Sequence, residues 1–373
     1  MKKRHLLPLI LLLSCHNIYG QAEKLNWRLS GRFHFDGVGY FNSPDTLSHQ
    51  LDVVDIRLGG KVTMGDWYLN LDVAYSNNKV SIKDAFLQYS KRNNYFRAGH
   101  QYVFTGIDQP NSSNDMLLNA TANIGSLMDN GRRLGFTYTR AVPNYYITAG
   151  LFVGDDIHVR STVKQGYSTV MRALWRPINE EFSLFHFGAS GLYKVPNKLK
   201  GTNFKNIIFS NRGAVRSKGP ELHFLSINDA KKQILCVAEF YGYKNKWMVM
   251  GEYYWTRVNR MNATAYKAHG GYVEGGYLLK GKHFGYDHVD AFPTLPTDNG
   301  SLLLVARYNQ SNMNDNDSGL YAGNQKDFSI GLDYFYNKHL STRLNYSYVK
   351  LDEHSTIGKE NLHVIQCRLQ FRF

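Results

Sequence analysis

Apolar and polar residues alternate one for one in segment after segment of this chain, and no helical period persists anywhere. In Trp67-Tyr68-Leu69-Asn70-Leu71-Asp72-Val73-Ala74-Tyr75 the odd positions are apolar and the even ones mostly polar. Near the C-terminal end Ile365, Cys367, Leu369, Phe371 and Phe373 share one face, while Gln366, Arg368, Gln370 and Arg372 share the other. Successive side chains of a β-strand point to opposite faces of the sheet, so each such segment has one greasy and one wet face. The pattern predicts an all-β chain.

Sixteen segments carry the pattern, near 27–40, 51–63, 67–75, 80–90, 95–104, 132–140, 145–153, 167–176, 182–193, 234–242, 247–258, 270–280, 301–309, 328–337, 340–350 and 361–373. Their connections alternate in length. Met64-Gly65-Asp66, 91–94, 141–144, 177–181, 243–246 and 337–339 are very short, whereas 105–131, 154–166 and 310–327 are long. Two stretches fit badly. Residues 194–233 make one long connection, and 281–300, with Pro293 and Pro296, is long on the side where turns are otherwise short.

Both a soluble sandwich and a membrane barrel alternate, and the difference lies in which face meets water. Aromatics stand at the ends of the apolar rows (Trp67 and Tyr75, Trp247 and Trp255, Tyr334 and Tyr336), where girdles at two lipid–water boundaries belong. Charges sharing the apolar parity, Lys83, Arg140 and Arg257, lie at strand ends within reach of headgroups. A membrane-spanning helix needs roughly 20 apolar residues, and the longest apolar run, Leu6–Leu13, is broken by Pro8. Tyr 26, Phe 21 and Trp 5 argue against disorder, and Cys 3 against a disulfide scaffold. The expected architecture is a transmembrane antiparallel up-and-down β-barrel of about 16 strands, wide enough for an aqueous channel.

Residues 1–20 read as a cleaved signal peptide: Met1-Lys2-Lys3-Arg4 is basic, Leu6–Leu13 apolar, and Ile18-Tyr19-Gly20 a small-residue cleavage site. Leu12-Leu13-Ser14-Cys15 leaves open a second reading, in which Cys15 is lipidated. The barrel domain then spans 21–373, in the outer membrane of a Gram-negative bacterium. Cys236 and Cys367 read as small apolar residues, not as a bridge. Lys+Arg 44 against Asp+Glu 30 gives a net charge of +14. In an exported chain this charge meets lipid and lipopolysaccharide headgroups or small anions in transit, not nucleic acid.

Strand parity turns Arg28, Arg32, Arg57, Lys61, Arg97, Arg133, Arg172, Arg176, Lys280, Arg307, Arg343, Arg368 and Arg372 inward, against Asp36, Asp55, Asp72, Asp84, Glu239, Glu252, Glu274 and Asp333. A basic surplus in a confined lumen concentrates anions and repels cations. Most of the set is arginine, whose fork of donors matches phosphate or carboxylate oxygens. The alternative is that neighbouring Arg and Asp satisfy one another along the wall. The basic stretch 194–232 reads as a solvated loop. Loop 105–131 carries Met116, Leu117, Leu118, Ala120, Ala122 and Ile124, too apolar for a solvated tip, and is expected to fold inward and narrow the channel. Inward His34 and His186 lack a nucleophile motif, so no enzyme, cofactor or metal site is expected.

Several segments in order resemble the phosphate-selective porins O and P. They include Asp55-Ile56-Arg57-Leu58-Gly59 before Gly65-Asp66-Trp67, Lys83-Asp84-Ala85-Phe86-Leu87, Arg97-Ala98-Gly99-His100 and Gly131-Arg132-Arg133-Leu134-Gly135. Ala238-Glu239-Phe240-Tyr241-Gly242, Gly251-Glu252-Tyr253-Tyr254, the run from Gly271 to Leu279, Val305-Ala306-Arg307-Tyr308 and Leu344-Asn345-Tyr346-Ser347-Tyr348-Val349 continue the series. The resemblance implies a 16-stranded barrel, usually a homotrimer, with an arginine-lined lumen and lysines near an inward loop that select phosphate or polyphosphate. Loop 105–131 departs from this pattern, because it holds no Lys and its charges are Asp108, Asp115 and Asp129. The function expected is passive diffusion of small anions, with phosphate or polyphosphate as candidates. A general or sugar-admitting porin is the alternative.

Overall fold

A computed structural model of the chain describes residues 24–373 except 42, 46, 77–78, 129, 155–161, 200–204, 217–218 and 297. The leader expected over 1–20, Cys15 and Asp129 lie outside the described residues. Sixteen antiparallel strands close into one barrel. They are β1 (Asn26–Phe41), β2 (Gln50–Met64), β3 (Trp67–Ser76), β4 (Lys79–Lys91), β5 (Asn94–Tyr102), β6 (Arg132–Ala141), β7 (Tyr145–Val153) and β8 (Tyr167–Glu180). The second half comprises β9 (Ser183–Val195), β10 (Ala230–Lys244), β11 (Trp247–Arg260), β12 (Tyr266–Lys280), β13 (Ser301–Asn312), β14 (Gln325–Phe335), β15 (Leu340–Leu351) and β16 (Asn361–Arg372). Each strand pairs with its sequence neighbours, and β1 pairs with β16 from Arg32↔Arg372 to Phe41↔His363. Closure leaves no free edge, which a sheet surrounded by lipid requires.

Burial follows the alternation with its sign inverted relative to a soluble protein. On β16, Ile365, Leu369 and Phe371 are exposed while Gln366, Arg368 and Gln370 are buried. Trp27, Trp67, Tyr75, Trp175, Trp247 and Tyr336 are likewise exposed on the outside. An apolar exterior of this extent is stable only in hydrocarbon, where roughly 25 cal/mol per Å² of apolar surface is recovered. Cys236 and Cys367 are free on this outer face.

The two stretches that break the turn pattern fold over or into the lumen. Within 194–233 a hairpin pairs Ile207–Asn211 with His223–Ile227, and within 281–300 another pairs Gly285–Asp287 with Phe292–Thr294. One local correction follows from a bulge. Leu71 pairs with Ala85 but Val73 with Ile82, so Lys83 and Asp84 together face the single residue Asp72. The extra residue resets the parity of β4, and Lys83 joins the residues lining the lumen instead of reaching for headgroups.

Candidate functional site

The segment 103–131 leaves β5 and crosses the lumen against the inner wall of β11–β16. Its apolar residues Leu117, Leu118, Ala122 and Ile124 are buried, and a short helix, α1 (Asn123–Leu127), sits against β12 and β13. The inward carboxylate of Glu252 accepts the backbone N–H of Ile107 at 2.6 Å and of Asp108 at 3.0 Å. Gly106 makes the approach possible: its φ is +76°, and a Cβ there would fall 1.9 Å from Glu252 Oε1. Asp108 in turn accepts the N–H of Ala122 at 2.6 Å, and burial raises its carboxyl above the usual range against the pull of Arg307.

Arginines of the wall grip the loop through its carbonyls. Arg343 donates to Asn114 O at 3.1 Å, Arg368 to Asn119 O at 2.9 Å and Arg307 to Ala120 O at 3.0 Å. Arg32 reaches the hydroxyl of Ser112 at 3.3 Å. The same side chains hold inward carboxylates: Arg368 with Asp36 at 2.7 Å, Arg32 with Asp55 at 2.7 Å and Arg343 with Asp333 at 3.2 Å. Arg307 lies 4.0 Å from Glu274.

The 281–300 turn enters from the opposite end. Arg172 binds Glu239 at 2.7 Å and donates to the carbonyls of Asp290 and Ala291 at 3.3 and 3.1 Å. Arg176 donates to His288 O at 3.1 Å, and Arg97 meets the Asp290 carboxylate at 3.1 Å. Tyr286 stacks on Tyr241 with ring centroids 5.7 Å apart, and its hydroxyl lies 2.9 Å from His186 Nδ1.

Between these inserts and the wall of β1–β6 an open cavity of about 1180 Å³ remains. Among the described residues eleven Lys/Arg and seven Asp/Glu line it, a surplus of four positive side chains. Arg28 stands directly opposite Lys61, and Arg32 opposite Arg57. Like charges facing each other across a ladder are unfavourable by themselves. Asp55 lies between Arg32 and Arg57, at 2.7 and 3.6 Å; Arg28 and Lys61 have no carboxylate partner among the described residues. Asp115, on the loop, is pushed above the usual carboxylate range by burial, against the Arg372 guanidinium 3.6 Å away.

The structure thus divides the residues singled out from sequence. Arg28, Arg32, Arg57, Lys61, Arg97 and Arg372 line the open cavity, whereas Arg172, Arg176, Arg307, Arg343 and Arg368 are buried and hold the inserts. Arg133 donates to the carbonyl of Arg132 and is absent from the cavity lining. Its neighbour Arg132 takes that place, bound to Asp84 at 2.9 Å; it is the first residue of β6, just after Gly131 with φ +62°, where the pleat has not begun to set direction. Arg212 and Arg216 also line the cavity, which corrects the reading of 194–232 as a solvated loop. The apolar parity of Ile207, Phe209, Leu225 and Ile227 (all buried) was the available signal, because a solvated loop has no use for it.

A family model described as phosphate-selective porin O and P matches residues 27–373. No curated protein matches the sequence. Among solved structures, the fold is similar to an anion-selective porin from Comamonas acidovorans (TM-score 0.62, 10% identity, covering 94% of this chain and 100% of that chain). It is also similar to the trimer form of in-vitro folded OmpT of Vibrio cholerae (TM-score 0.59, 11% identity, 94% and 99%) and to Salmonella typhi OmpF in complex with daunomycin (TM-score 0.57, 15% identity, 95% and 99%).

Proposed function

This chain belongs to the phosphate-selective porin O and P family, and on that premise we propose that its lumen passes small anions by passive diffusion. As an outer-membrane porin of a Gram-negative bacterium it is a channel and not an enzyme. The observation that carries the anion reading is the cavity lining, with eleven basic and seven acidic side chains among the described residues and the row of Arg28 and Lys61, which has no carboxylate partner among them. In a narrow aqueous passage with low-dielectric walls such a surplus raises the local anion concentration. The trimer form of the OmpT structure supports assembly as a homotrimer, and the basic and then apolar first twenty residues support export through a cleaved leader.

Phosphate and polyphosphate are candidate solutes because guanidinium forks match their oxygens. The basic groups near the tip of loop 103–131 come from the wall and from Arg216, whose Nη1 lies 3.9 Å from Met116 Sδ, not from loop lysines. The second reading is a general porin, favoured by the carboxylate pairing of Arg32, Arg97 and Arg132. Planar-bilayer recording in asymmetric KCl separates the two. The expected result is a reversal potential set by chloride, with phosphate blocking the chloride current. A potassium-set reversal potential overturns the anion reading.

A further inference from the structure

A second cavity, of about 470 Å³, lies at the end of the barrel that carries the short turns, which is the periplasmic end. The turns 91–94, 141–144 and 177–181 and the tip of the 281–300 insert contribute to it, and it shares no lining residue with the 1180 Å³ cavity. Pockets that hold small molecules measure about 300–1,000 Å³.

Arg176 of β8 lies deepest in it. Among the described residues six arginines are buried. Five have a carboxylate within 4.0 Å: Arg32 with Asp55, Arg172 with Glu239, Arg307 with Glu274, Arg343 with Asp333 and Arg368 with Asp36. Arg176 has none among the described residues. Its Nη1 donates to Val142 O at 3.3 Å and lies 3.5 Å from His288 Nδ1, and its Nη2 donates to His288 O at 3.1 Å. Its Nε has no hydrogen-bond partner. Tyr286 and Tyr146 flank the guanidinium, with ring centroids 5.1 and 5.9 Å from Cζ. A cation withdrawn from water and held only by neutral groups is an uncompensated charge, so this one calls for an anion.

The rim argues against a bare anion. Glu180 and Glu181 line the same cavity where β8 ends; both are exposed, and neither has a Lys or Arg partner among the described residues. They repel inorganic phosphate and attract an ammonium group. Between the two charges the cavity offers the apolar surface of Val142, Pro143 and Val289 and the ring of Tyr95. From Arg176 to Glu180 is four residues of strand, roughly 13 Å. An extended peptide of two or three residues spans roughly 7–11 Å, and the side chains of Arg176 and Glu180 close the difference.

We propose that this cavity binds a short zwitterionic peptide of two or three residues, with its carboxylate on Arg176 and its ammonium group on Glu180 and Glu181. The guanidinium matches a carboxylate through charge-assisted hydrogen bonds, and the peptide supplies the counter-charge that the other five buried arginines find in the wall. The site is separate from the passage through which the channel reading sends small anions.

Isothermal titration calorimetry of the purified barrel in detergent, with trialanine as the probe, tests the assignment. Trialanine is expected to bind at one site per chain. Trialanine amide, which lacks the carboxylate, should bind about ten-fold more weakly or worse, the worth of hydrogen bonds to a charged group. N-acetyl-trialanine, which lacks the ammonium group, should bind roughly two- to five-fold more weakly, as expected of an exposed ion pair. Glu180→Gln with Glu181→Gln, both at the surface, should reproduce that smaller loss for trialanine and leave the acetylated peptide unaffected. Arg176→Lys, which keeps the charge and loses the fork, should weaken trialanine about ten-fold; if that variant does not fold, the wild-type comparison of free and amidated peptide still decides. No binding of trialanine, equal binding of either blocked peptide, or tighter binding of inorganic phosphate overturns the proposal. The reversal potential in asymmetric KCl tests the channel reading separately, since neither glutamate lines the 1180 Å³ cavity.

Discussion

The two walls of the lumen are written in the same alternation and do different work. Along β1–β6 the inward cations Arg28, Arg57, Lys61 and Arg97 line the 1180 Å³ cavity, although Arg32 also reaches Ser112 of the loop and Arg97 meets Asp290 of the 281–300 turn. Along β8–β16 Arg172, Arg307, Arg343 and Arg368 are buried against protein, and each donates to a backbone carbonyl of an insert; Arg372, the last residue of β16, still lines the cavity. The difference teaches that the role of an inward arginine is set by what lies across the lumen from it. On one side it holds the passage narrow, and on the other it sets the charge that a solute meets.

That contrast can be broken or sharpened by mutation. The largest effect is expected on the packed wall. Arg172→Ala strands the buried Glu239 carboxylate, and removing one partner of a buried ion pair costs about 3–5 kcal/mol; urea unfolding of the barrel refolded into vesicles measures it. A loss below about 1 kcal/mol would mean that this wall is wet. Next comes the tie of the loop. Glu252→Ala leaves the N–H groups of Ile107 and Asp108 without their acceptor, a loss of about 1–3 kcal/mol, and single-channel conductance should rise as the loop loosens. Glu252→Gln, which keeps an acceptor oxygen, should lie between the two.

On the open wall the same chemistry should leave stability alone. Arg28→Gln with Lys61→Gln is expected to change unfolding free energy by less than about 0.5 kcal/mol per site. It should nevertheless lower the chloride-to-potassium permeability ratio roughly two-fold or more, because the field of a confined passage depends on its few unpaired charges. An unchanged ratio would move the selectivity elsewhere. The smallest effect concerns pH. Burial holds the Asp115 carboxyl above the usual range, so as pH falls it neutralises before an ordinary aspartate would, near pH 4. The lumen loses a negative charge, and anion preference should increase with an onset above pH 4. Asp115→Asn should abolish that step in the permeability ratio.

Much of the barrel was legible from residues alone. The alternation in Trp67–Tyr75 and Ile365–Phe373 specifies strand and facing at once, because a one-residue slip would turn every apolar side chain into the lumen. Short turns such as 91–94 specify which neighbours pair. Lys83 and Arg133 escaped this reading for local reasons. A bulge opposite Asp72 reset the parity at Lys83, and at the start of β6 it is Arg132, not Arg133, that lines the cavity. Arg212 and Arg216 escaped it for a different reason. Their hairpin belongs to no barrel strand, so its position comes from packing alone, with Leu222 buried against Val38, Tyr40 and Val364.

Period and turn length, both local properties of the chain, determined a sixteen-stranded cylinder with oil outside and arginine inside. Only the tertiary structure decided which arginines meet water. That outcome depends on where three inserts come to rest inside the cylinder, held by contacts such as Arg343 to Asn114 across 229 residues of sequence. Contacts of that span leave no periodic trace, because each is a meeting of one side chain with one carbonyl and not a repeated pattern.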